Sequence, residues 1–185
     1  MEFKKRNTKI FLVCGKARHG KDTISEMSRN YYKDKDITNL SYGYYIKDYA
    51  KRISNWDGSE ETKPRELLQQ LGTNLIRKQI DEFLFINRMI EDINVFSYFY
   101  DIITISDGRL KPEIDILKGS IDNVVVIRVN RPNFDNGLTE EQKNHLTEID
   151  LDDYNKYDYV IENDGTLEDL NKKVIEILEG ENNEY

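Results

Sequence analysis

Residues 9–25 read KIFLVCGKARHGKDTIS, and this stretch decides the fold. The apolar run IFLV predicts a buried β-strand, and Gly15 and Gly20 predict a tight turn directly after it. A helical pattern from Asp22 to Tyr32 follows Lys21. A turn bounded by glycines between a strand and a helix, with a lysine at its end, is typical of a phosphate-binding loop. The stretch therefore predicts a site for a nucleoside triphosphate, either ATP or GTP.

The groups around this loop suit an anionic ligand. Backbone N–H groups at a helix N-terminus favour phosphate, and Lys21 would approach the outer phosphates as a point charge. Asp22 takes the place where a Ser or Thr is expected, and Thr23 follows it. We expect magnesium to be held by phosphate oxygens and water, with Asp22 or Thr23 as a ligand directly or through water. Three further loop residues supply positive charge beside this carboxylate: Lys16, Arg18 and His19.

Length and composition favour one soluble α/β domain. The chain has 185 residues, 38% hydrophobic and 34% charged, and this is enough to bury a core. The net charge of −8 argues against a nucleic-acid surface. No apolar run approaches a membrane span and no signal peptide is evident, so we expect a cytoplasmic protein without membrane partners. The single cysteine, Cys14, ends the first predicted strand and is expected to be a core residue rather than a nucleophile.

Strand and helix patterns alternate along the rest of the chain. Further strands are predicted at 36–41, 101–106, 123–129 and 157–162, and helices at 42–55, from 65 onward, 112–118 and 167–179. This alternation predicts a parallel sheet with flanking helices, whose functional residues gather at the carboxyl ends of the strands. Those ends carry Gly15, Asp107, Arg131 and Asn163.

The helix predicted at 42–55 and the one that closes the chain carry more specific signals. Tyr45, Tyr49 and Ile53 recur at helical spacing and are predicted to lie on one face of this helix. Thr166 is predicted to cap the last helix, which has acidic residues in its first turn.

Asp107 and Arg109 follow the strand predicted at 101–106. Asp107 is in the place where a strand-end carboxylate would face magnesium or a substrate hydroxyl. The alternative is an ordinary turn, because Ser-Asp-Gly is common turn composition. Arg109 either pairs with Glu113 as a structural clamp or reaches the second substrate, and the sequence leaves both alternatives open.

Residues 65–77, RELLQQLGTNLIR, combine a leucine stripe with a second, polar face. Arg65, Gln69, Thr73 and Arg77 recur every four residues and are therefore predicted to lie together. Two guanidinium groups with an amide and a hydroxyl between them can hold a phosphate and read a base edge. A solvated polar face is the alternative.

The polar stretch at 128–150, RVNRPNFDNGLTEEQKNHLTEID, begins at the end of a predicted strand. It predicts a lid that excludes water and brings Arg131 to the transferring phosphoryl group. His145 and Glu148 lie about one helical turn apart, and they either interact locally or cover the substrate.

Together these motifs resemble the phage-type deoxynucleoside monophosphate kinases, from Lys9 to about Leu178. The motifs that carry the resemblance are GKARHGKDT, KPRELLQQLGT with Arg77 downstream, ISDGR with Glu113, RVNRP followed by HLTE, and VIENDGTLEDL. The resemblance implies the three-layer fold of P-loop nucleoside monophosphate kinases, a parallel sheet between layers of helices. It also implies one domain over residues 1–185, with a helical acceptor-binding insert at about 42–95 and a lid at about 131–150.

The resemblance further implies ATP and magnesium as cosubstrate and a deoxynucleoside monophosphate as the small-molecule acceptor. The predicted catalytic side chains are Lys21, Arg18, Asp107 and Arg131. ATP would be bound by Gly15, Lys16, His19, Gly20, Lys21, Asp22 and Thr23, with Asn163, Gly165 and Thr166 over the adenine. The acceptor would contact Arg65, Gln69, Thr73, Arg77, Asp107 and Arg109.

Two other functions fit the same motifs. One is a P-loop kinase of a different small acceptor, of the dephospho-coenzyme A or phosphomevalonate type. The other is a regulator that binds ATP without catalysis. The sequence leaves open the base, the sugar and the oligomeric state, with a homodimer among the alternatives.

Overall fold

Five parallel strands form one sheet in the order β2-β3-β1-β4-β5 in the computed structural model, which describes residues 2–182. The strands are β1 Lys9–Cys14, β2 Ile37–Leu40, β3 Ile102–Gly108, β4 Val124–Asn130 and β5 Tyr159–Glu162. Each predicted strand is present, with its ends shifted by one or two residues. The α/β parallel-sheet prediction is therefore confirmed.

The helices lie in two layers, one on each face of the sheet. They are α1 Lys21–Tyr31, α2 Tyr42–Ile53, α3 Arg65–Gln69, α4 Leu84–Phe96, α5 Lys111–Ser120, α6 Glu140–Lys143, α7 Leu146–Ile149 and α8 Leu167–Asn182. A π-helical segment, Gln70–Ile80, continues directly from α3. None of the helices among residues 2–182 is long and apolar enough to cross a membrane.

The strand β1 is buried on both faces, which explains its continuous apolar sequence. Phe11 and Val13 belong to the core that packs against α1 and α8, whereas Leu12 and Cys14 belong to the core on the α4 and α5 side. Burial raises the pKa of the Cys14 thiol far above its ordinary value. The prediction that Cys14 is a core residue is confirmed.

The helix α2 packs against the core along only part of its length. Tyr45 is buried and Tyr49 is partly buried against the core. Ile53, in contrast, is 61% exposed. Residues 51–53 are all exposed, so the last turn of α2 lies outside the core.

The π-helical segment explains how a repeat of four residues can share one face. An α-helix has about 3.6 residues per turn, and a π-helix has a wider turn with bonds that span five residues. The N–H of Asp81 donates to the carbonyl of Ile76 over such a span, at 2.9 Å. Residues four apart are therefore rotated about the helix axis slightly past one turn in α3 and slightly short of one turn in the π segment. The two rotations partly cancel, so the residues of the repeat stay on one side of the helix.

Candidate active site

The loop between β1 and α1 depends on both of its glycines. Gly20 has φ +106°, a left-handed conformation that favours glycine. A Cβ atom on Gly15 would lie 2.7 Å from the carbonyl oxygen of Val129, which is too close. The Asn163 side chain donates from Nδ2 to the His19 carbonyl at 3.0 Å and so ties the end of β5 to the loop. The loop is therefore held in one shape by its neighbours.

Lys21 is buried at the start of α1, with 7% of its surface exposed. Its Nζ donates to the carbonyl of Lys16 at 2.8 Å. Burial, with a smaller contribution from the Arg109 charge, lowers the pKa of Lys21 to about 8, and Glu148 opposes this shift. An ammonium group has three donors, and one carbonyl is its acceptor among the described residues. An anion entering the loop would satisfy the remaining donors.

A cavity of about 380 Å³ opens between the loop and the helices of residues 42–80, and we call it the helix-side cavity. The loop contributes Ala17 to its wall, and the 131–150 segment contributes His145 and Glu148. All six residues predicted to contact an acceptor line this cavity: Arg65, Gln69, Thr73, Arg77, Asp107 and Arg109. The four-residue repeat and the strand-end pair, which are separate in sequence, thus face one space.

Asp107 lies in the wall of the helix-side cavity, but both of its oxygens have partners. Oδ1 accepts the N–H of Tyr42 at 3.0 Å, and Oδ2 accepts the N–H of Gly43 at 2.8 Å. These are orphan donors in the first turn of α2, where a carboxylate is stabilising. Since β3 continues to Gly108, the alternative that Asp107 lies in a turn is wrong. Asp107 joins the sheet edge to α2.

The helix-side cavity presents three arginines, which are held differently. Arg77 pairs with Glu113 at 3.2 Å, and the Arg109 guanidinium pairs with Glu148. The Arg65 guanidinium has neither an ion pair nor a hydrogen bond within residues 2–182. The predicted clamp between Arg109 and Glu113 exists only through the backbone, where the Arg109 N–H donates to Glu113 at 2.8 Å. Burial raises the pKa of Glu113 to about 7, and Arg77 opposes the shift.

A second cavity, of about 520 Å³, lies on the other side of the loop, and we call it the loop-side cavity. Arg131 lines it, with its guanidinium carbon 3.8 Å from the centre of the Phe134 ring and its backbone N–H donating to His19 Nδ1 at 3.1 Å. Burial, followed by the Lys21 charge, lowers the pKa of His19. The lowered pKa favours the neutral ring, whose Nδ1 can accept the Arg131 N–H. Arg18, beside this space, donates to the carbonyl of Asn136 at 2.7 Å.

Glu148 is the site residue that sequence reasoning did not select. It lines both cavities and is 8% exposed. Its Oε2 accepts the N–H of Ala17 in the loop at 2.9 Å, while its Oε1 pairs with Arg109. The sequence signal is the HLTE motif, which predicts that His145 and Glu148 interact locally or cover the substrate. The two residues do interact locally, because the Glu148 N–H donates to the His145 carbonyl at 2.8 Å, and both line the helix-side cavity. The His145 ring contacts the hydroxyl of Thr147, with Nδ1 at 2.9 Å.

The other predicted residues lie around the loop without lining either cavity. Asp22 is exposed in the first turn of α1, and Thr23 is partly buried beside it. Thr166 caps α8 as predicted, because its Oγ1 accepts the N–H of Asp169 at 3.2 Å. Gly165 packs against Asp169, where an added Cβ would lie 2.8 Å from a carboxylate oxygen. Among residues 2–182, no three His, Cys, Asp or Glu side chains cluster as a metal site.

The parallel sheet and its glycine-bounded loop define the class of protein as one with the P-loop kinase fold. Shikimate kinase from Aquifex aeolicus aligns over 92% of this chain and 96% of its own, with a TM-score of 0.54 and 16% identity. Dephospho-CoA kinase from Campylobacter jejuni aligns over 94% and 97%, with a TM-score of 0.53 and 16% identity. APS kinase from Mycobacterium tuberculosis, in complex with AMPPNP and APS, aligns over 94% and 99%, with a TM-score of 0.54 and 11% identity.

Sequence comparison narrows this class to one family. The deoxynucleotide monophosphate kinase family profile matches residues 28–174. The chain belongs to this family. A deoxynucleotide monophosphate kinase of Enterobacteria phage T4 is 32% identical over 111 residues, which are 60% of this chain. The match covers 43% of the T4 protein, so the chain spans less than half the length of that relative.

Proposed function

We propose that the protein transfers the γ-phosphoryl group of ATP to a deoxynucleoside monophosphate, which yields ADP and the diphosphate. The main observation behind this proposal is the helix-side cavity, which adjoins the phosphate loop and is lined by Arg65, Arg77 and Arg109. A cavity beside a phosphate loop, with an excess of cations in its wall, suits a second phosphorylated substrate. Membership of the deoxynucleotide monophosphate kinase family supports the same acceptor.

The donor site is the loop together with the space on its far side. Gly15, Lys16, His19, Gly20 and Lys21 would surround the phosphates with backbone donors and positive charge. Asn163, Gly165 and Thr166 follow β5 and would border the adenine. AMPPNP in the structure of the M. tuberculosis APS kinase, which shares the fold, supports an adenine nucleotide as donor.

The residues at the start of α1 fit a magnesium ion that is held mainly by the nucleotide. The described residues offer no cluster of three ligating side chains, so phosphate oxygens and water would complete the coordination of the ion. Thr23 and the exposed Asp22 would bind it directly or through water. The ion would supply positive charge against the triphosphate.

The acceptor would enter the helix-side cavity with its phosphate toward the arginines. Arg77 is already oriented by Glu113, and Arg65 is free to turn toward an anion. Gln69 and Thr73 lie between these arginines on the same wall and can donate and accept hydrogen bonds at a base edge. Asp107 would shape this wall by holding the N-terminus of α2, the start of the 42–95 insert.

Transfer would proceed in line, by positioning and charge stabilisation rather than through a covalent intermediate. The acceptor phosphate is already ionised, so it needs no general base. Lys21 would stay on the transferring group, and Arg18 and Arg131 would approach it from the 131–150 lid side. Arg131 stacks on Phe134 and has no carboxylate partner among residues 2–182, so its guanidinium donors are available to phosphate oxygens.

The test measures ADP release from Mg-ATP with a panel of acceptors. The panel contains the four deoxynucleoside monophosphates, the ribonucleotides, dephospho-coenzyme A, phosphomevalonate and a blank without acceptor. We expect turnover with at least one deoxynucleoside monophosphate and a matching diphosphate product by chromatography. Turnover only with another acceptor, or tight ATP binding without turnover, would overturn the proposal. The Lys21→Ala protein, purified in parallel, excludes a contaminating kinase.

A further inference from the structure

Glu148 connects three parts of the site that are distant in sequence. It lies in α7, within the 131–150 segment, and is 8% exposed. Its Oε2 accepts the N–H of Ala17 in the phosphate loop at 2.9 Å, and its Oε1 pairs with Arg109 at the end of β3. The same residue lines both the helix-side cavity and the loop-side cavity.

Two carboxylates that follow Glu148 in the chain anchor the C-terminal end of α7. Just after α7, Asp150 accepts the N–H of Lys111 at the start of α5, at 2.7 Å. Asp152 pairs with Lys16 of the phosphate loop at 2.7 Å. Burying a carboxylate is costly unless it is hydrogen-bonded and paired, and Glu148 has both kinds of partner. The contact is therefore a built junction and not an incidental surface pair.

We propose that Glu148 is a positioning residue, which holds the Arg109 guanidinium at a set distance from the phosphate loop. The inference rests on the proposed phosphotransfer. Arg109 reaches the junction on a long side chain, and its proposed contact with the acceptor in the helix-side cavity needs the guanidinium in one orientation. Glu148 is the carboxylate that holds that guanidinium, so it aligns the cation on the acceptor side with the loop that binds the donor.

The arrangement of Arg77 in the same cavity supports this role. Glu113 holds Arg77 at 3.2 Å from within the core, just as Glu148 holds Arg109. The difference is that Glu148 also bonds to the phosphate loop. Glu113 therefore orients an arginine relative to the sheet, whereas Glu148 orients one relative to the donor site. A misplacement of about 1 Å in such a site is enough to cost about a hundredfold in rate.

Steady-state kinetics of Glu148→Gln, Glu148→Asp, Arg109→Gln and the double variant Glu148→Gln/Arg109→Gln test the inference. Glutamine keeps the shape and an oxygen for Ala17 but loses the charge that holds Arg109. We expect Glu148→Gln to lower kcat by about thirtyfold to a hundredfold, with the KM for ATP changed by less than about twofold. The double variant should be no slower than Arg109→Gln alone. Glu148→Asp should recover part of the rate.

The matched control is Glu141→Gln, an exposed lid glutamate without an ion pair among residues 2–182. It should keep the rate of the unsubstituted protein, and circular dichroism checks that every variant is folded. Additive losses in the double variant, or a Glu148→Gln rate equal to that of Glu141→Gln, would overturn the inference. Faster turnover with tighter AMPPNP binding in Glu148→Gln would also overturn the inference. That result would mean that the Glu148 carboxylate occupies the position of a phosphate group and competes with the nucleotide.

A failure of the proposed function would be visible separately, as absence of turnover in the unsubstituted protein. The inference would then be decided by nitrogen-15 NMR of the arginine side chains. The guanidinium signal of Arg109 should be protected from solvent exchange in the unsubstituted protein and in Glu141→Gln, and lose that protection in Glu148→Gln. Equal protection in all three proteins would overturn the assignment.

Discussion

The two cavities beside the phosphate loop hold their arginines in different ways. In the helix-side cavity, Arg77 and Arg109 each pair with a buried glutamate. In the loop-side region, Arg131 stacks on the partly buried Phe134, and Arg18 donates to a backbone carbonyl. A buried carboxylate fixes a guanidinium, whereas stacking leaves its donors free. Arg77 and Arg109 of the helix-side wall are thus prearranged, whereas Arg65 and the loop-side Arg131 can still turn toward a ligand.

The largest expected effect is at Lys21, at the start of α1. Lys21→Ala should lower kcat by about a thousandfold, because in the proposed site the buried ammonium would be the charge nearest the transferring group. The measurement is ADP release at saturating substrates. Lys33→Ala, an exposed lysine outside both cavities, is the control. A loss below about tenfold would contradict the assignment.

Arg131→Ala tests whether the freely stacked arginine acts in the transfer step. We expect kcat to fall by about a hundredfold, with the KM for the acceptor nearly unchanged. The reason is that Arg131 lines the loop-side cavity and does not line the helix-side one. The measurement is the dependence of the rate on each substrate. An effect confined to the KM for the acceptor would show that Arg131 acts in acceptor binding, as the helix-side arginines are proposed to do, and not in the transfer step.

Arg65→Ala tests the unpaired arginine of the helix-side wall. A lost charge-assisted hydrogen bond to phosphate should raise the KM for the acceptor by about tenfold to a hundredfold and leave kcat within about threefold. Arg52→Ala, an exposed arginine that pairs with Asp48 on α2, is the control. A fall in kcat at constant KM would show that Arg65 acts in the transition state instead.

Asp107→Asn tests the structural part of the prearranged wall. The amide can accept at one oxygen only, so one of the two bonds to the N-terminus of α2 is lost along with the charge. We expect the free energy of unfolding to fall by about 1 kcal/mol. Urea denaturation measures it, with Asp48→Asn, which breaks an exposed pair, as reference. Equal stability of the two variants would argue against a capping role.

The smallest effect concerns pH and Glu113, the carboxylate behind Arg77. Its pKa rises from 4.5 to about 7 on folding, so between these values the folded state binds more protons than the unfolded state. The contribution of Glu113 to stability should therefore fall as pH rises through this window and level off above it. Urea denaturation at several pH values, compared with Glu113→Gln, measures this. Parallel profiles for the two proteins would contradict the raised pKa.

Much of the fold was predictable because its signals are local. β1 reads as an apolar run since both of its faces are buried, and the glycines of the loop mark the turn that follows. The four-residue repeat from Arg65 to Arg77 indicated a common face, and the π-helical segment helps to keep the repeat on that face. The cap at Thr166 was predictable for the same reason, because its partner Asp169 is three residues away.

Two contacts that hold the site together and that the sequence did not predict join distant residues. Glu148 and Ala17 are 131 positions apart, and Asp107 and Tyr42 are 65 positions apart. Neither pairing leaves a periodic or turn signal in the chain. Helical spacing indicates that Ile53 shares a face with Tyr45 and Tyr49, but it does not show where the covering layer ends, and Ile53 is exposed.

The sequence alone determined a phosphate loop between a buried strand and a helix, the alternation that makes a parallel sheet, and a polar face of arginines. These depend on short-range periodicity and backbone conformation, which neighbouring residues dictate. Only the tertiary structure decided which glutamate holds which arginine, that Asp107 caps α2, and that Glu148 joins the loop to the opposite wall. Such choices depend on burial and on charges brought together by packing, and no local pattern encodes them.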